Sequence, residues 1–224
     1  MNIGIIGGTG PAGIALARRL ASVGHQVVVG SRELTRASEI VAAELVGSST
    51  HSLKLLPGTN EQAAACDLCV LATPWEGAVA TAKSLQAPLE QKVLISMVNA
   101  LARVGSEFQA LVPARGSIAA SVQAVLPRTF VTTAFQHIPA RELGLIDLPI
   151  QAEVMVCSDS EEGAVATELL VGSIHGLRPV RCGSLASANA VEALTAVLLN
   201  VNIAYKSHVS LRLTGLRESG SNPS

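Results

Sequence analysis

The chain has 224 residues, with 16 Lys and Arg against 17 Asp and Glu, so its formal net charge is -1. This balance gives no electrostatic reason to expect a nucleic acid or an anionic membrane surface as a partner. Hydrophobic residues make up 49% of the chain and aromatic residues only 2%, which predicts a core of Ala, Val, Leu and Ile. Such a core is typical of a parallel sheet buried on both faces, and the length suffices for one large domain.

Several features predict a cytoplasmic protein. An apolar strand begins at residue 2, which leaves no room for a secretory or transit peptide. The longest apolar run, residues 191–204, contains Thr195, Asn200 and Asn202, and we expect it to be too short and too polar to span a bilayer. No His lies beside the C-x-x-C pair of cysteines, which favours packing thiols in a reducing compartment over a metal site. The four cysteines are Cys66, Cys69, Cys157 and Cys182.

The first strand leads into the strongest motif of the chain. Residues 2–6 are apolar, Gly8, Gly10 and Gly13 follow with the spacing G-x-G-x-x-G, and a helical pattern begins at once. In this dinucleotide fingerprint the first glycine permits a tight turn, the second lets a pyrophosphate approach the backbone, and the third lets the helix pack closely. The helix N-terminus adds unpaired N–H groups and a partial positive charge. The sequence therefore predicts a bound dinucleotide.

The end of the second strand indicates which dinucleotide. Residues 26–30 form this strand, and Ser31 and Arg32 follow where an NAD-binding protein carries an acid. A hydroxyl and a guanidinium both donate hydrogen bonds to phosphate, and the guanidinium can stack on adenine. Arg36 adds a second cation, whereas Glu33 is expected in the first turn of the next helix, where it would interact with the helix dipole. We therefore predict NADP rather than NAD.

Shorter elements follow this strand. The next helix is predicted to end in a loop at residues 48–50. A weak third strand is predicted at residues 53–56, stopped by Pro57 and Gly58, and then a short helix with Asn60 as its N-cap.

Three buried strands are predicted in the middle of the chain, at residues 67–72, 92–96 and 129–134. Residues 101–113 have poor periodicity and are predicted to be a loop. In open α/β sheets, ligands bind beyond the carboxyl ends of the strands, so the loops that follow the three strands should face one cleft. The only tryptophan lies in the first of these loops, either as a core side chain or as a wall of the ligand site. The cleft candidates are Thr73, Pro74, Trp75, Asn99, Gln136, His137, Ile138, Pro139 and Ala140.

The last third of the chain is predicted to complete the cleft. It contains strands at residues 154–157 and 177–182, an acid-rich helix start at residues 158–162, and a final helix that begins near Asn189 with Glu192 in a capping box. An apolar stripe along the final helix is typical of a core face or a dimer seam. The stripe consists of Val191, Leu194, Val197, Leu198, Val201 and Tyr205.

Together these elements predict an α/β protein with a Rossmann-type, doubly wound, mostly parallel sheet and a small C-terminal helical or α+β portion. We expect an NADP-binding domain at residues 1–150, a smaller portion that completes the cleft at residues 151–216, and a disordered polar tail at residues 217–224.

With these motifs in place, the chain resembles the NADPH-dependent reductases of coenzyme F420, an 8-hydroxy-5-deazaflavin. The resemblance extends over nearly all of residues 2–216, with matching gaps. Its motifs are residues 7–13 (GGTGPAG), 29–32 (VGSR), 73–76 (TPWE), 138–140 (IPA), 176–179 (GLRP) and 192–195 (EALT).

The resemblance implies a reversible hydride transfer between the nicotinamide C4 and the deazaflavin C5, in a homodimer. Both rings would stack in one cleft, and the cofactors would carry the chemistry, so we expect no catalytic acid or base and no metal. By the same resemblance, the 2′-phosphate would be held by Thr9, Ser31, Arg32 and Arg36, and the pyrophosphate by the backbone of Pro11 and Ala12. The nicotinamide and the acceptor ring would be lined by Thr73, Pro74, Asn99 and Ala140.

Two departures from the family pattern lie on the acceptor side. Gln136 stands where family members usually have a His, with His137 directly after it, and Asn99-Ala100 stands where they tend to have a proline. Two other functions therefore stay open, namely an NADPH-dependent reductase of another flavin or small acceptor, and a non-catalytic NADP(H)-binding sensor. A hydroxyacid dehydrogenase is disfavoured, because Lys83 and Lys92 flank the far side of the sheet and no lysine is placed as an acid or base.

Overall fold

One eight-stranded sheet forms the centre of the molecule in the computed structural model, which describes residues 1–46 and 52–216. The strands are β1 (Asn2–Ile6), β2 (Gln26–Ser31), β3 (Leu55–Thr59), β4 (Leu68–Leu71), β5 (Val93–Ser96), β6 (Leu101–Val104), β7 (Glu107–Ala110), β8 (Phe130–Thr133), β9 (Ala152–Ser158) and β10 (Leu177–Arg181). The helices are α1 (Pro11–Ser22), α2 (Leu34–Glu44), α3 (Asn60–Ala64), α4 (Trp75–Ser84), α5 (Gln86–Leu89), α6 (Ile118–Val125), α7 (Ala140–Gly144), α8 (Glu161–Gly172) and α9 (Ala188–Tyr205), with a 3-10 turn at Leu185–Ser187 before α9.

The strand order is β10-β9-β8-β5-β4-β1-β2-β3, with β1 central and the chain winding outward in both directions. Each neighbouring pair is parallel except β8 and β9, which are antiparallel. This confirms the predicted doubly wound, mostly parallel sheet. Because parallel strands end at the same edge, the loops after β1, β2, β4, β5 and β8 lie along one side of the molecule.

Two hydrophobic cores cover the two faces of the sheet. Successive residues of one strand enter different cores: Val70 packs with the cluster that includes α1, whereas Cys69 and Leu71 pack with the cluster that includes α4 and α6. This alternation follows from the pleat, since neighbouring side chains of a strand point to opposite faces. The strands are therefore apolar on both faces, as the composition predicts.

The third strand differs from its prediction. It begins at Leu55 and runs through Pro57 and Gly58 to Thr59, so the expected stop at the proline is wrong. β3 is an edge strand, and a strand that bonds on one side only tolerates a residue without an N–H.

The helix after β3 is capped by a different residue from the one expected. Thr59 is the N-cap: its Oγ1 accepts the Gln62 N–H at 3.3 Å, and the Gln62 Oε1 accepts the Thr59 N–H at 2.8 Å. This reciprocal capping box satisfies two amides at once. Asn60, the predicted N-cap, is instead the first helical residue.

The segment predicted as loop at residues 101–113 contains a β-hairpin. β6 and β7 pair antiparallel, and the turn between them contains Gly105 with φ +60°. A two-residue Gly-Ser connection between short strands is a known hairpin signal, so the sequence did contain this information.

The final helix begins at Ala188, and Glu192 forms no capping box there, contrary to the prediction. The helical segment Leu185–Tyr205, which is longer than the run at residues 191–204, has the length and composition of a membrane-spanning helix. A single helix of this kind is weak evidence for a membrane span, because core helices of globular proteins have the same length and composition. Val191 is buried, whereas Val197 and Tyr205 are 56% and 78% exposed, so the predicted apolar stripe is core only in its first half.

Two further predictions, the loop at residues 48–50 and the disordered tail at residues 217–224, lie outside the described residues.

Candidate functional site: a cleft at the carboxyl edge of the sheet

The glycine turn between β1 and α1 forms one end of the cleft. The motif suggested that Gly8 permits the tight turn. In the structure the residue with a left-handed conformation is Gly7, which has φ +72°. A Cβ on Gly13 would lie 2.8 Å from the Gly8 Cα, which shows why the helix needs glycine there to pack on the turn. A Cβ on Gly10 would meet no atom within 4 Å, so the backbone at Gly10 borders open space.

Asn60 holds this turn in place, and sequence reasoning missed that role. Its side chain is 6% exposed, and its Oδ1 accepts the Gly7 N–H at 3.0 Å. The bond joins residues 53 positions apart, so no local pattern indicates it. The only sequence signal is a short polar side chain directly after a strand that neighbours β2.

A cavity of about 360 Å³ lies between this turn and the end of β2. The predicted phosphate-binding residues meet in its wall, where Arg32 and Arg36 are exposed and Ser31 is 6% exposed. The Ser31 Oγ accepts the Glu33 N–H at 3.3 Å, which leaves the hydroxyl proton free for a ligand. The lining residues are Gly7, Thr9, Gly10, Ser31, Arg32, Glu33, Arg36, Asn60, Ala72, Thr73, Pro74, Gly77 and Thr81.

Glu33 was expected inside the first turn of α2, but it lies one residue before the helix. It is the N-cap residue, with no hydrogen bond from its side chain to the helix. Glu33 lines the first cavity together with Arg32 and Arg36.

A second cavity of about 280 Å³ lies beyond the ends of β4 and β5. It shares Ala72, Thr73 and Pro74 with the first, so the two adjoin along the carboxyl edge. Trp75 fills both roles that the sequence left open, since it is half-buried against the core and also lines this cavity. The lining residues are Ala12, Ala72, Thr73, Pro74, Trp75, Met97, Val98, Asn99 and Leu101.

The third predicted loop is buried behind the second cavity. The Gln136 carbonyl accepts hydrogen bonds from the Asn99 Nδ2 at 2.9 Å and from the Thr195 Oγ1 at 3.2 Å. Phe135, directly before it, is fully buried with φ +67°, a strained conformation for a residue with a side chain. The loop is therefore held from the segment after β5 and from α9, and Thr195 is a positioning residue that only the resemblance pointed to.

The other residues of this loop lie in different surroundings. The His137 Nε2 lies 3.0 Å from the Glu153 carbonyl oxygen, and burial lowers the pKa of this histidine. Ile138 is 6% exposed and packs in the core, which places its side chain away from the cavities. Pro139 is the N-cap of α7, and Ala140 is its first residue, half-buried.

Unpaired polar atoms cluster at this edge of the sheet. Buried polar atoms are normally hydrogen-bonded, so a group without partners indicates that something else satisfies them. The open backbone at Gly10 and the arginines beside Ser31 fit the phosphates of a dinucleotide. The unpaired donors and acceptors near the second cavity fit the hydrogen-bonding edge of a cofactor ring. The atoms without a partner within the described residues include Thr73 Oγ1, Ser96 Oγ, Asn99 Oδ1, Gln136 Oε1, Gln136 Nε2 and His137 Nδ1.

The cysteines lie apart from this chemistry. All four are free, and burial raises the pKa of the Cys69 thiol to about 12 and that of Cys157 to about 11. A neutral buried thiol is a poor nucleophile and a poor metal ligand. Within residues 1–46 and 52–216, no three His, Cys, Asp or Glu side chains are grouped to hold a metal ion.

Glu192 joins α9 to α6. Its carboxylate oxygens accept the N–H groups of Ile118 at 2.9 Å and Ala119 at 3.1 Å, at the start of α6. Burial nevertheless raises the pKa of Glu192 to about 7. Thr195 lies one turn further along α9, so this anchor is close to the clamp on the Gln136 carbonyl.

Comparison with known proteins adds the chemistry of relatives to this geometry. Residues 2–100 match the family described as NADP oxidoreductase coenzyme F420-dependent. The F420-dependent NADP reductase of Methanocaldococcus jannaschii is 34% identical over 222 residues, covering 96% of this chain and 99% of the relative. That of Methanothermobacter thermautotrophicus is 31% identical, covering 97% of each. A crystal structure of a putative F420-dependent NADP reductase from Arthrobacter sp. FB24 has the same fold, with a TM-score of 0.76, 20% identity and coverage of 93% and 96%.

Proposed function

This chain belongs to the family of F420-dependent NADP reductases, and we infer from that membership that it is an oxidoreductase that transfers a hydride between NADP(H) and coenzyme F420. The similarity extends over almost the whole of both chains, so it includes the acceptor side as well as the nucleotide fold. The structural observation that carries this function is the pair of adjoining cavities, which share Ala72, Thr73 and Pro74.

The first cavity would hold the adenosine half of NADP(H). We assign the 2′-phosphate to Thr9, Ser31, Arg32 and Arg36, because a hydroxyl proton and two guanidinium groups meet there. The pyrophosphate would lie against the backbone of residues 10–13 at the N-terminus of α1, where amides without helical partners point outward. Gly8 and Gly13 would contribute by letting the turn and the helix approach closely.

The second cavity would hold the nicotinamide and the reacting face of the deazaflavin. Thr73, Pro74 and Trp75 form one side, and Asn99 forms the other with a free Oδ1. Behind them the buried Gln136 side-chain amide has an NH2 group and a carbonyl oxygen, both without partners in the described chain. Its two functions match the paired donors and acceptors at the edge of a carboxamide or a pyrimidine ring.

Hydride transfer between two bound rings needs alignment and the exclusion of water more than an acid or a base. This site supplies alignment through the loop at residues 135–140, whose backbone is bonded to Asn99 and Thr195. The pKa of His137 is lowered by burial, so its neutral imidazole acts as a fixed polar wall rather than as a proton donor.

Turnover tests this function directly. Purified protein should oxidise NADPH only when F420 is added, with the absorbance of each cofactor followed separately. NADPH oxidation with FMN or riboflavin as efficient as with F420 would favour a general flavin reductase. Tight NADPH binding without turnover of any acceptor would favour a sensor.

We further propose that residues 1–150 bind NADP(H) and that residues 151–216 complete the acceptor side. Thr195 and Glu153 support this division, since both contact the third loop from the C-terminal portion. We also propose a homodimer, because the second half of α9 exposes apolar side chains such as Val197 and Tyr205. A cytoplasmic location agrees with four free thiols.

Light scattering tests the dimer. Replacing Val197 with Glu should convert it to a monomer without unfolding it, whereas a monomeric wild type would contradict the proposal.

A further inference from the structure

Arg19 lies on α1 but bonds to a segment more than 120 residues away. Its side chain is 4% exposed, and every one of its five N–H donors has a backbone carbonyl acceptor. The Nε donates to Leu143, the Nη1 to Ile146 and Leu148, and the Nη2 to Glu142 and Leu145, at distances between 2.6 and 3.2 Å.

This arrangement differs from an ion pair. Within the described residues no carboxylate oxygen lies within 4 Å of the guanidinium, so backbone carbonyls supply all of its hydrogen-bond acceptors, and the carboxylates of Asp147 and Glu142 act on it only from a greater distance. The acceptors belong to the last turn of α7 and to the chain just after it, where a helix leaves carbonyls unpaired. A guanidinium is the only side chain with enough donors for all five, so a lysine could satisfy at most three.

The segment that Arg19 holds continues directly from the third loop of the cleft. α7 has only five residues, too few for a helix to be stable without outside contacts. On its N-terminal side the loop is held at the Gln136 carbonyl by Asn99 and Thr195. Arg19 supplies the corresponding hold on the C-terminal side, so residues 136–140 are fixed from both directions.

Arg19 also connects this loop to the nucleotide end of the cleft. Ala12, in the first turn of α1, lines the second cavity, and Arg19 follows seven residues later. Seven residues are two helical turns, so the two residues lie on the same face about 10 Å apart. One helix therefore lines the second cavity with its first turn and, through Arg19, holds α7 and the residues after it, which directly follow the acceptor loop.

We propose that Arg19 is a positioning residue for the acceptor: it sets the distance between the loop at residues 136–140 and the nucleotide bound at the start of α1. This proposal rests on the proposed function for the identity of the acceptor, but the placement of the loop does not depend on that identity. Loss of Arg19 loosens the acceptor side and leaves nucleotide binding at the turn intact.

The test compares Arg19→Lys and Arg19→Gln with Arg18→Gln. Arg18 is the adjacent residue on the same helix, and its Nη1 pairs with Glu44 at 3.0 Å in a half-buried ion pair away from α7, so it controls for loss of an arginine from α1. Three quantities are measured: the NADPH Kd from its fluorescence, the KM for F420, and amide hydrogen exchange of residues 140–148 without ligands.

We expect Arg19→Lys to raise the KM for F420 about tenfold and to speed exchange of residues 140–148 by a similar factor, with the NADPH Kd within twofold of wild type. Arg19→Gln should exceed both effects, and Arg18→Gln should show neither. If Arg19→Gln does not fold, the lysine variant decides alone.

Unchanged exchange and unchanged KM in Arg19→Lys would overturn the proposal, as would an NADPH Kd that rises as much as the KM for F420. The exchange measurement needs no acceptor. A wild type that does not reduce F420 would therefore contradict the proposed function, while the exchange result would still decide the role of Arg19.

Discussion

The two ends of the cleft are built in different ways. The nucleotide end consists of a glycine turn and a strand end close together in sequence, and its phosphate-binding candidates Arg32 and Arg36 are exposed. The acceptor end consists of a buried loop held by Asn99 and Thr195, residues from distant parts of the chain. Replacing an exposed binding residue changes ligand affinity with little effect on the stability of the fold. Replacing a residue that holds a buried loop changes both the stability of the fold and the function of the loop. Changes at the two ends should therefore have separable effects.

The largest effect is expected at Gly13, a nucleotide-end position where binding and folding coincide. In Gly13→Ala the new Cβ would lie 2.8 Å from the Gly8 Cα and 2.9 Å from the Gly8 carbonyl oxygen, both backbone atoms. We expect the free energy of unfolding in urea to fall by about 3 kcal/mol and NADPH binding to be lost. Gly10→Ala is the matched control, because its Cβ meets nothing within 4 Å. It should change the free energy of unfolding by less than about 0.5 kcal/mol but weaken NADPH binding. Equal stability of the two variants would show that the packing argument is wrong.

The second effect concerns Glu192, which lies on α9 one turn before Thr195. It tests whether the acceptor end contributes to the stability of the fold. Its pKa in the folded protein, about 7, is above the ordinary value of 4.5. A raised pKa means that the folded state holds the proton more tightly, so the contribution to stability is full below pH 4.5 and is lost as the pH rises through 7.

Between pH 5 and pH 8 this loss amounts to about 2 kcal/mol in the free energy of unfolding. Glu192→Gln, which cannot titrate, should show a correspondingly flatter pH dependence in urea denaturation. A variant as pH-dependent as the wild type would mean that another group is responsible.

The third effect is smaller and should affect binding alone. Arg32→Ala removes an exposed cation from the first cavity, and we expect the NADPH Kd to rise about tenfold, near 1.5 kcal/mol, with the NADH Kd unchanged. The thermal midpoint should not move, because exposed substitutions rarely affect stability. Arg128→Ala is the control, since that arginine precedes β8 at the opposite edge of the sheet. Equal weakening of NADPH and NADH would remove the 2′-phosphate assignment.

The smallest effect tests the clamp on the Gln136 carbonyl. Thr195→Val removes one of its two donors while preserving side-chain shape, and should cost about 1 kcal/mol of stability with a few-fold rise in the KM of the acceptor. Thr195→Ser keeps the hydroxyl and should restore both values. If valine and serine behave alike, the 3.2 Å hydrogen bond contributes nothing to placing the loop.

Sequence reasoning located most of the strands and the edge of the sheet where the cavities lie, but it failed where a contact was distant. The pairing of β6 with β7 was missed although Gly105 and its neighbour indicate a turn. Glu192 was assigned to the cap of its own helix, whereas it binds the start of α6, 74 positions away from Ile118. Asn60 was assigned to a cap in the same way, yet it holds Gly7. In each case the local sequence pattern predicted a hydrogen-bond partner nearby in the chain, whereas the folded structure provides a partner from a distant segment.

By itself, the sequence determined the α/β class, the nucleotide turn and the preference for a 2′-phosphate, because periodicity, glycine spacing and the residues that end a strand act within a few positions of one another. The tertiary structure alone decided how the acceptor loop is held. Arg19 reaches Leu143, and Thr195 reaches Gln136, only after the sheet has brought these segments together. Buried carbonyls need donors from wherever the fold provides them, and their identity is therefore a property of the packed chain.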